Sequence, residues 1–99
     1  MKNKFRYNRK QYMAHKCTHQ EYYAQFVNDD IKRHVISVIG EKAILESQDP
    51  YFNDISIKLW DSIMPYTQGW LRDAGDYPTL SSAVCIAKEA ARQIRESGQ

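Results

Sequence analysis

The residues best suited to chemistry in this sequence are two histidines and a cysteine that stand close together near its start. His15, Cys17 and His19 are spaced i, i+2, i+4, and imidazole nitrogens and thiolates are preferred ligands of Zn²⁺. This spacing puts three side chains on one face of a strand but not on one face of a helix. The paired C-x-x-C and H-x-x-x-H ligand motifs are absent. We therefore predict no metal site here and expect the chain to fold without a cofactor.

The alternative interpretation of the same stretch is the beginning of a helix. Thr18 and Glu21 form the capping-box pattern, in which each side chain accepts a hydrogen bond from the other residue's backbone N–H. Apolar and aromatic residues then follow at helical spacing, namely Tyr22, Tyr23, Phe26 and Val27. The sequence therefore predicts a helix that begins after Thr18 and ends near Asn28, with Cys17 just outside it.

Two further residues have side chains capable of catalysis. His34 lies between Ile31 and Val38 on the apolar face of the next predicted helix, which is typical of a histidine hydrogen-bonded at the edge of a core. Cys85 projects off the apolar face of the last predicted helix, and no histidine stands near it in sequence to activate the thiol. Phosphate-binding glycine loops, nucleophile elbows and H-E-x-x-H motifs do not occur. We predict that the protein is not an enzyme and has no catalytic residues.

Apolar residues recur at helical spacing along most of the remaining chain. Asp29 or Asp30 is the predicted cap of a helix that ends at Gly40, and a short helix follows over residues 41–45. Residues 55–64 are predicted to form a helix that ends before Pro65. Residues 67–78 then read as a turn or one-turn helix, with Trp70 and Leu71 pointing inward.

The last predicted helix has the clearest pattern. It follows Pro78, and Thr79 can cap it. Its apolar face consists of Leu80, Ala83, Val84, Ala87, Ala90, Ala91 and Ile94. The fold class is therefore predicted to be all-α, a compact bundle of four or five short helices with a long C-terminal amphipathic helix. The segments "HVISVI" and "ISIKLW" also alternate as strands would, so an α+β fold with a small two-stranded pairing is the alternative.

Composition and charge fit one small globular domain with an unusual charge distribution. The chain has 99 residues, 42% apolar and 26% charged, with two cysteines, which is typical of a reduced cytoplasmic protein. No apolar run is long enough to span a membrane, and no secretory signal is recognisable. Residues 1–20 carry a formal charge of +6 and the remainder −4. We predict a basic N-terminal arm over residues 1–17 and a single helical domain over 18–99.

Two sets of residues are candidates for binding. Lysine and arginine neutralise phosphates, and aromatic rings between them can stack on bases. The basic candidates for nucleic-acid contact are Lys2, Lys4, Arg6, Arg9, Lys10 and Lys16. Tryptophan and tyrosine dominate the energetics of protein interfaces. The aromatic candidates for a partner-binding surface are Trp60, Tyr66, Trp70 and Tyr77.

Three segments, "THQEYYAQFV", "FNDISIKLWD" and "AVCIAKEAARQI", resemble small accessory proteins of tailed phages and prophages of enteric bacteria. The resemblance covers most of residues 18–95 and carries no catalytic or binding residues. It implies expression in the cytoplasm of a bacterial host and a role in binding a larger protein or a nucleic acid. The predicted function is non-catalytic binding of a protein partner, with nucleic-acid binding by the basic arm as the alternative.

Overall fold

A computed structural model of the chain describes residues 6–97 and shows six helices in them. The helices are α1 (Arg9–Met13), α2 (His19–Ala24), α3 (Asp29–Ile39), α4 (Glu41–Leu45), α5 (Asn53–Asp73) and α6 (Leu80–Ser97). The predicted all-α class and the long C-terminal helix are confirmed. The α+β alternative is wrong, because residues 34–39 lie in α3, residues 55–60 lie in α5, and no strand occurs within residues 6–97.

The core is built around α5 and α6, which make the most extensive contact of any helix pair. Four alanines of α6 are fully buried, namely Ala83, Ala87, Ala90 and Ala91. Their small side chains let α5 approach closely, so that Leu59 and Ile63 pack into the same cluster as residues of α3 and α4. A second cluster joins Tyr22 of α2, and Phe26 just after that helix, to Ile86 of α6.

The helix predicted to stop before Pro65 instead continues to Asp73. Proline lacks the N–H that would bond to the carbonyl four residues earlier, and its ring crowds that carbonyl. The helix persists because burial on both sides of the proline outweighs that cost: Ile63 and Leu71 are fully buried. The Thr67 hydroxyl, also buried, lies 3.3 Å from both the Ile63 and the Met64 carbonyl oxygens and can donate to either. Of the turn or one-turn helix predicted over residues 67–78, residues 67–73 are therefore part of α5, although Leu71 does point inward.

The buried face of α6 is broader than the predicted one and displaced from it. Ile86 is fully buried against α2, although the pattern of apolar residues did not include it. Leu80 and Val84, which the pattern placed in the core, lie at its edge and are exposed and half-buried respectively. The difference arises because α6 is covered by α2 and α3 as well as by α5, so the centre of its buried face shifts.

The predicted cap of α2 is confirmed, and the predicted cap of α3 is corrected. The capping box of Thr18 and Glu21 is present at the start of α2. The cap of α3 is Asn28, whose side chain accepts a hydrogen bond from the Ile31 backbone, whereas Asp29 or Asp30 was predicted. These two acids lie in the first turn instead, where a negative charge favours the helix dipole.

The start of α5 is held by a carboxylate that lies four residues before the helix. The Asp49 side chain accepts hydrogen bonds from the backbone N–H groups of Tyr51, Asn53 and Asp54, at 2.9, 2.7 and 3.4 Å. These bonds, led by that of Tyr51, lower the pKa of Asp49. They also hold buried Phe52 at φ 54°, a left-handed conformation that costs energy in a residue with a bulky side chain.

The described part of the predicted arm, residues 6–17, contacts the helical domain. The Arg9 backbone N–H donates to the Ala74 carbonyl at 2.8 Å. The Tyr12 ring stacks on Tyr22 with 4.5 Å between centroids. Residues 9–13 form the short helix α1, for which the sequence showed no sustained apolar period. This segment is therefore held mainly by polar and aromatic contacts.

Candidate partner-binding surface

An apolar groove of about 590 Å³ runs between α5 and α6 and opens to solvent. Its lining residues are Asn53, Ser56, Ile57 and Trp60 of α5 and Leu80, Val84 and Lys88 of α6. We call this feature the α5–α6 groove.

The groove forms because both helices present apolar side chains outside the core. Ile57 and Trp60 are three residues apart on α5, while Leu80 and Val84 are four apart on α6, so each pair lies on one side of its helix. Ile57, Trp60 and Leu80 are 65%, 50% and 44% exposed. Because these exposed apolar side chains lie around one concavity, the groove is a candidate for binding a partner.

A second concavity adjoins the groove and shares Lys88 with it. Its volume is about 450 Å³, and its lining residues are His19, Gln20, Pro50, Tyr51, Phe52, Cys85, Lys88, Glu89 and Arg92. Burial raises the pKa of the Cys85 thiol, which keeps it protonated and weakly nucleophilic at neutral pH. The concavity therefore provides charge and shape, but no activated nucleophile.

The charges in this second concavity differ in how far they are neutralised. The Arg92 guanidinium pairs with Glu89 at 2.7 Å and with Glu96 at 2.5 Å. Lys88, by contrast, makes no salt bridge with any residue between positions 6 and 97. The Lys88 ammonium group lies close enough to Asp49 to help lower the pKa of that carboxyl group, but it forms no ion pair in the described part of the chain.

The four aromatic candidates do not form one surface. Trp60 lines the α5–α6 groove. Tyr66 stacks on His34 at 4.3 Å between centroids, and the His34 Nε2 lies 3.0 Å from the Ser62 hydroxyl, as predicted for a histidine at the core edge. Trp70 is half-buried against both core clusters. Tyr77 is 81% exposed in the loop before α6.

The sequence did not single out three apolar groove residues as binding candidates: Ile57, Leu80 and Val84. Leu80 and Val84 were assigned to the core because they continue its helical spacing. Ile57 carried a usable signal, since it falls off the helical face formed by Ile55, Leu59 and Ile63. An apolar residue on the polar side of an amphipathic helix is a recognisable indication of exposure.

The basic candidates are divided between exposed and engaged side chains. Lys2 and Lys4 lie outside the described residues. Arg9 pairs with the Asp76 carboxylate at 3.5 Å and lies over the Tyr12 ring. Arg6, Lys10 and Lys16 are exposed. None of these three forms a salt bridge with a residue in the range 6–97.

The structure does bring His15, Cys17 and His19 to the rim of one shallow concavity. His19 is engaged elsewhere, because its Nδ1 lies 3.0 Å from the Tyr12 hydroxyl and its ring packs on Tyr23. Between positions 6 and 97, no group of three histidine, cysteine or acidic side chains is placed to hold a metal ion.

Compared with known proteins, the chain matches no protein-family model, no curated protein and no solved structure. None of the helices within residues 6–97 combines the length and the apolar character that crossing a bilayer requires. The geometry of the α5–α6 groove is therefore the main ground for a functional proposal.

Proposed function

We propose that this protein is a non-catalytic binding protein that engages a larger protein partner through the α5–α6 groove. The observation that carries the proposal is the exposure of Ile57, Trp60 and Leu80 around one concave apolar surface. Burying these side chains against a partner removes apolar area from water, which is the dominant favourable term in most protein association.

The lining of the groove favours binding over catalysis. The Ser56 hydroxyl donates to the Asn53 carbonyl of its own helix at 2.8 Å, so it is not poised as a nucleophile. The remaining polar lining groups are the Asn53 amide and the Lys88 ammonium. An active site requires several polar groups that converge with matched pKa values, and this set does not supply them.

The partner is proposed to be a protein of a bacterial host. This choice rests on the resemblance of residues 18–95 to small accessory proteins of tailed phages and prophages. Within the interface, Trp60 is the expected energetic centre, because tryptophan is enriched among interface hot spots. Its truncation to alanine is expected to cost about 2 kcal/mol or more of binding free energy.

Affinity capture from a nuclease-treated lysate of an enteric bacterium tests the proposal. The wild-type chain is compared with Trp60→Ala and with Tyr77→Ala, since Tyr77 is exposed but does not line the groove. We expect a partner that the wild type and Tyr77→Ala retain and that Trp60→Ala loses. Equal capture by all three proteins, with both variants folded, would show that the groove is not the binding surface.

Nucleic-acid binding by the N-terminal segment is the second candidate function. The observation that favours it is the exposure of Arg6, Lys10 and Lys16, none of which is neutralised by a salt bridge within residues 6–97. Capture that disappears on nuclease treatment would support this candidate over the groove.

A further inference from the structure

The α5–α6 groove continues along α6 into the second concavity. Leu80, Val84, Lys88 and Arg92 are spaced four residues apart and line one or both of these hollows. Residues at this spacing form one row on a helix surface. With a rise of about 1.5 Å per residue, the row is about 18 Å long. The two hollows are therefore two ends of one elongated surface.

This surface changes character along its length. Its Leu80 end is apolar, with Ile57 and Trp60 on the facing helix. Its other end carries Lys88, whose ammonium group has no salt-bridge partner within residues 6–97, while Arg92 is already paired with Glu89 and Glu96. A ligand that covers the whole row would meet apolar groups first and, about two turns later, the Lys88 ammonium group, which is not held in a salt bridge.

The backbone around the groove restricts the form of a bound chain. An extended segment that binds by adding a strand requires an open sheet edge, and no strand exists within residues 6–97. Both walls of the groove are helices, whose interior backbone groups bond within the helix. A third helix, in contrast, can lay its side chains between the ridges of two neighbouring helices.

We infer that the occupant of the groove is an amphipathic helix of the partner protein that carries an acidic residue beyond one end of its apolar face. Its apolar residues fill the space between Ile57, Trp60 and Leu80, and its carboxylate pairs with Lys88. The required helix has about three turns, which matches the length of the row. This inference rests on the proposed function and adds the shape and charge of what is bound.

A displayed library of helical peptides tests the inference. The library has a fixed leucine face spaced i, i+3, i+7 and random residues over the two turns that follow it. It is selected against the wild-type chain and, separately, against Lys88→Glu. The matched control is Lys58→Glu, because Lys58 is exposed on α5 but lines neither hollow.

We expect the wild type and Lys58→Glu to enrich aspartate or glutamate at one position after the leucine face, and Lys88→Glu to enrich lysine or arginine there. The selected acidic peptide should bind Lys88→Glu about three- to tenfold more weakly than the wild type, as for a partly exposed ion pair. Lys58→Glu should stay within about twofold.

Three contradicting outcomes are distinguishable. If peptides bind and Trp60→Ala abolishes binding, but no charge is enriched, the acidic helix is wrong and groove binding stands. If peptide binding does not depend on Trp60, both proposals are contradicted. If sedimentation shows that the wild type self-associates and that Trp60→Ala is monomeric, the occupant is a second copy of this chain and the inference is overturned.

Discussion

At the scale of single residues, Asp76 is a carboxylate in a buried position. Its side chain is 6% exposed and accepts hydrogen bonds from the hydroxyl of fully buried Tyr22 at 2.8 Å and from Arg9 at 3.5 Å. Replacing Asp76 by alanine leaves the Tyr22 hydroxyl without its carboxylate acceptor, which costs about 1–3 kcal/mol. We expect urea denaturation of Asp76→Ala to show a loss of this size.

Two comparisons make this expectation specific. Asp73→Ala removes an exposed carboxylate three residues away and should change stability by less than about 0.5 kcal/mol. In Asp76→Ala combined with Tyr22→Phe, both partners are absent, so the double variant should be more stable than the sum of the two losses predicts. Strict additivity would mean that the hydrogen bond between these residues contributes nothing.

The same residues predict a dependence of stability on alkaline pH. Burial, together with the hydrogen bond and charge of Asp76, raises the pKa of Tyr22 above its ordinary value. Above about pH 10 an unfolded tyrosine loses its proton, while the folded state keeps it on Tyr22. Stability from this group is therefore complete below about pH 10 and falls as the pH rises further.

Urea denaturation between pH 8 and pH 11 measures this effect. The wild type should lose stability more steeply above about pH 10 than Tyr22→Phe, which has no hydroxyl to ionise at this position. Tyr66→Phe is the matched control, since Tyr66 is exposed, and it should keep the wild-type slope. Identical slopes for the wild type and Tyr22→Phe would contradict the raised pKa.

At the scale of elements, α5 is the helix whose local sequence and observed structure conflict most. Pro65 lies in the middle of α5, and its ring is exposed to solvent. It removes one backbone hydrogen bond of the helix. Pro65→Ala should restore that bond and raise the free energy of unfolding by about 1–3 kcal/mol. Pro50→Ala is the control, because Pro50 lies in the turn before α5, where proline stabilises by restricting the unfolded chain. A loss of stability in Pro65→Ala would show that the proline shapes α5 favourably.

The edge and the centre of the buried face of α6 should respond differently to added volume. Ala87 is fully buried between helices, so Ala87→Leu would overpack the core and cost about 1–3 kcal/mol. Val84 lines the open groove, so Val84→Leu should change stability by less than about 0.5 kcal/mol. Thermal denaturation of the two variants measures the contrast. If Val84→Leu lowered the melting temperature as much as Ala87→Leu does, the assignment of Val84 to the groove would be contradicted.

Local signals were sufficient to predict some elements and insufficient for others. The capping box at Thr18 and the dense alanine face of α6 depend on neighbours within a few residues, and both were predicted correctly. The persistence of α5 through Pro65 depends on burial of Ile63 and Leu71 against other helices, which no local pattern contains. The helix α1 has no buried residues, so its sequence has no apolar period to detect.

At the scale of the whole molecule, the candidate binding surface was less predictable than the fold. Trp60 was among the predicted candidates for partner binding and is half-exposed, but its groove also needs Leu80 and Val84, more than twenty residues away in sequence. Their spacing along α6 indicates apolarity on one side of the helix without specifying what covers it. The covering is decided by how α2, α3 and α5 divide the surface of α6, and that is a property of the assembled domain.

The charge distribution of the whole molecule yields a test of the nucleic-acid alternative. Residues 1–20 carry +6 and the remainder −4, so duplex DNA would be attracted only to the N-terminal segment. Each phosphate neutralised contributes about −0.9 to the slope of log affinity against log salt concentration. Because Arg9 is already paired with Asp76, not all six cations are available, and the expected slope is about −3 to −4.

Fluorescence anisotropy with a labelled duplex over a range of salt concentrations measures this slope. Replacing Arg6 and Lys10 with glutamine should flatten it by about two phosphate contacts, and should weaken unrelated sequences equally, because phosphate contacts carry no sequence information. Lys32→Gln combined with Lys42→Gln, which removes two cations of the helical domain, is the matched control and should leave the slope unchanged. If the wild type does not bind the duplex even at low salt, the basic segment does not act on nucleic acid. The α5–α6 groove is then the surface through which this protein is expected to work.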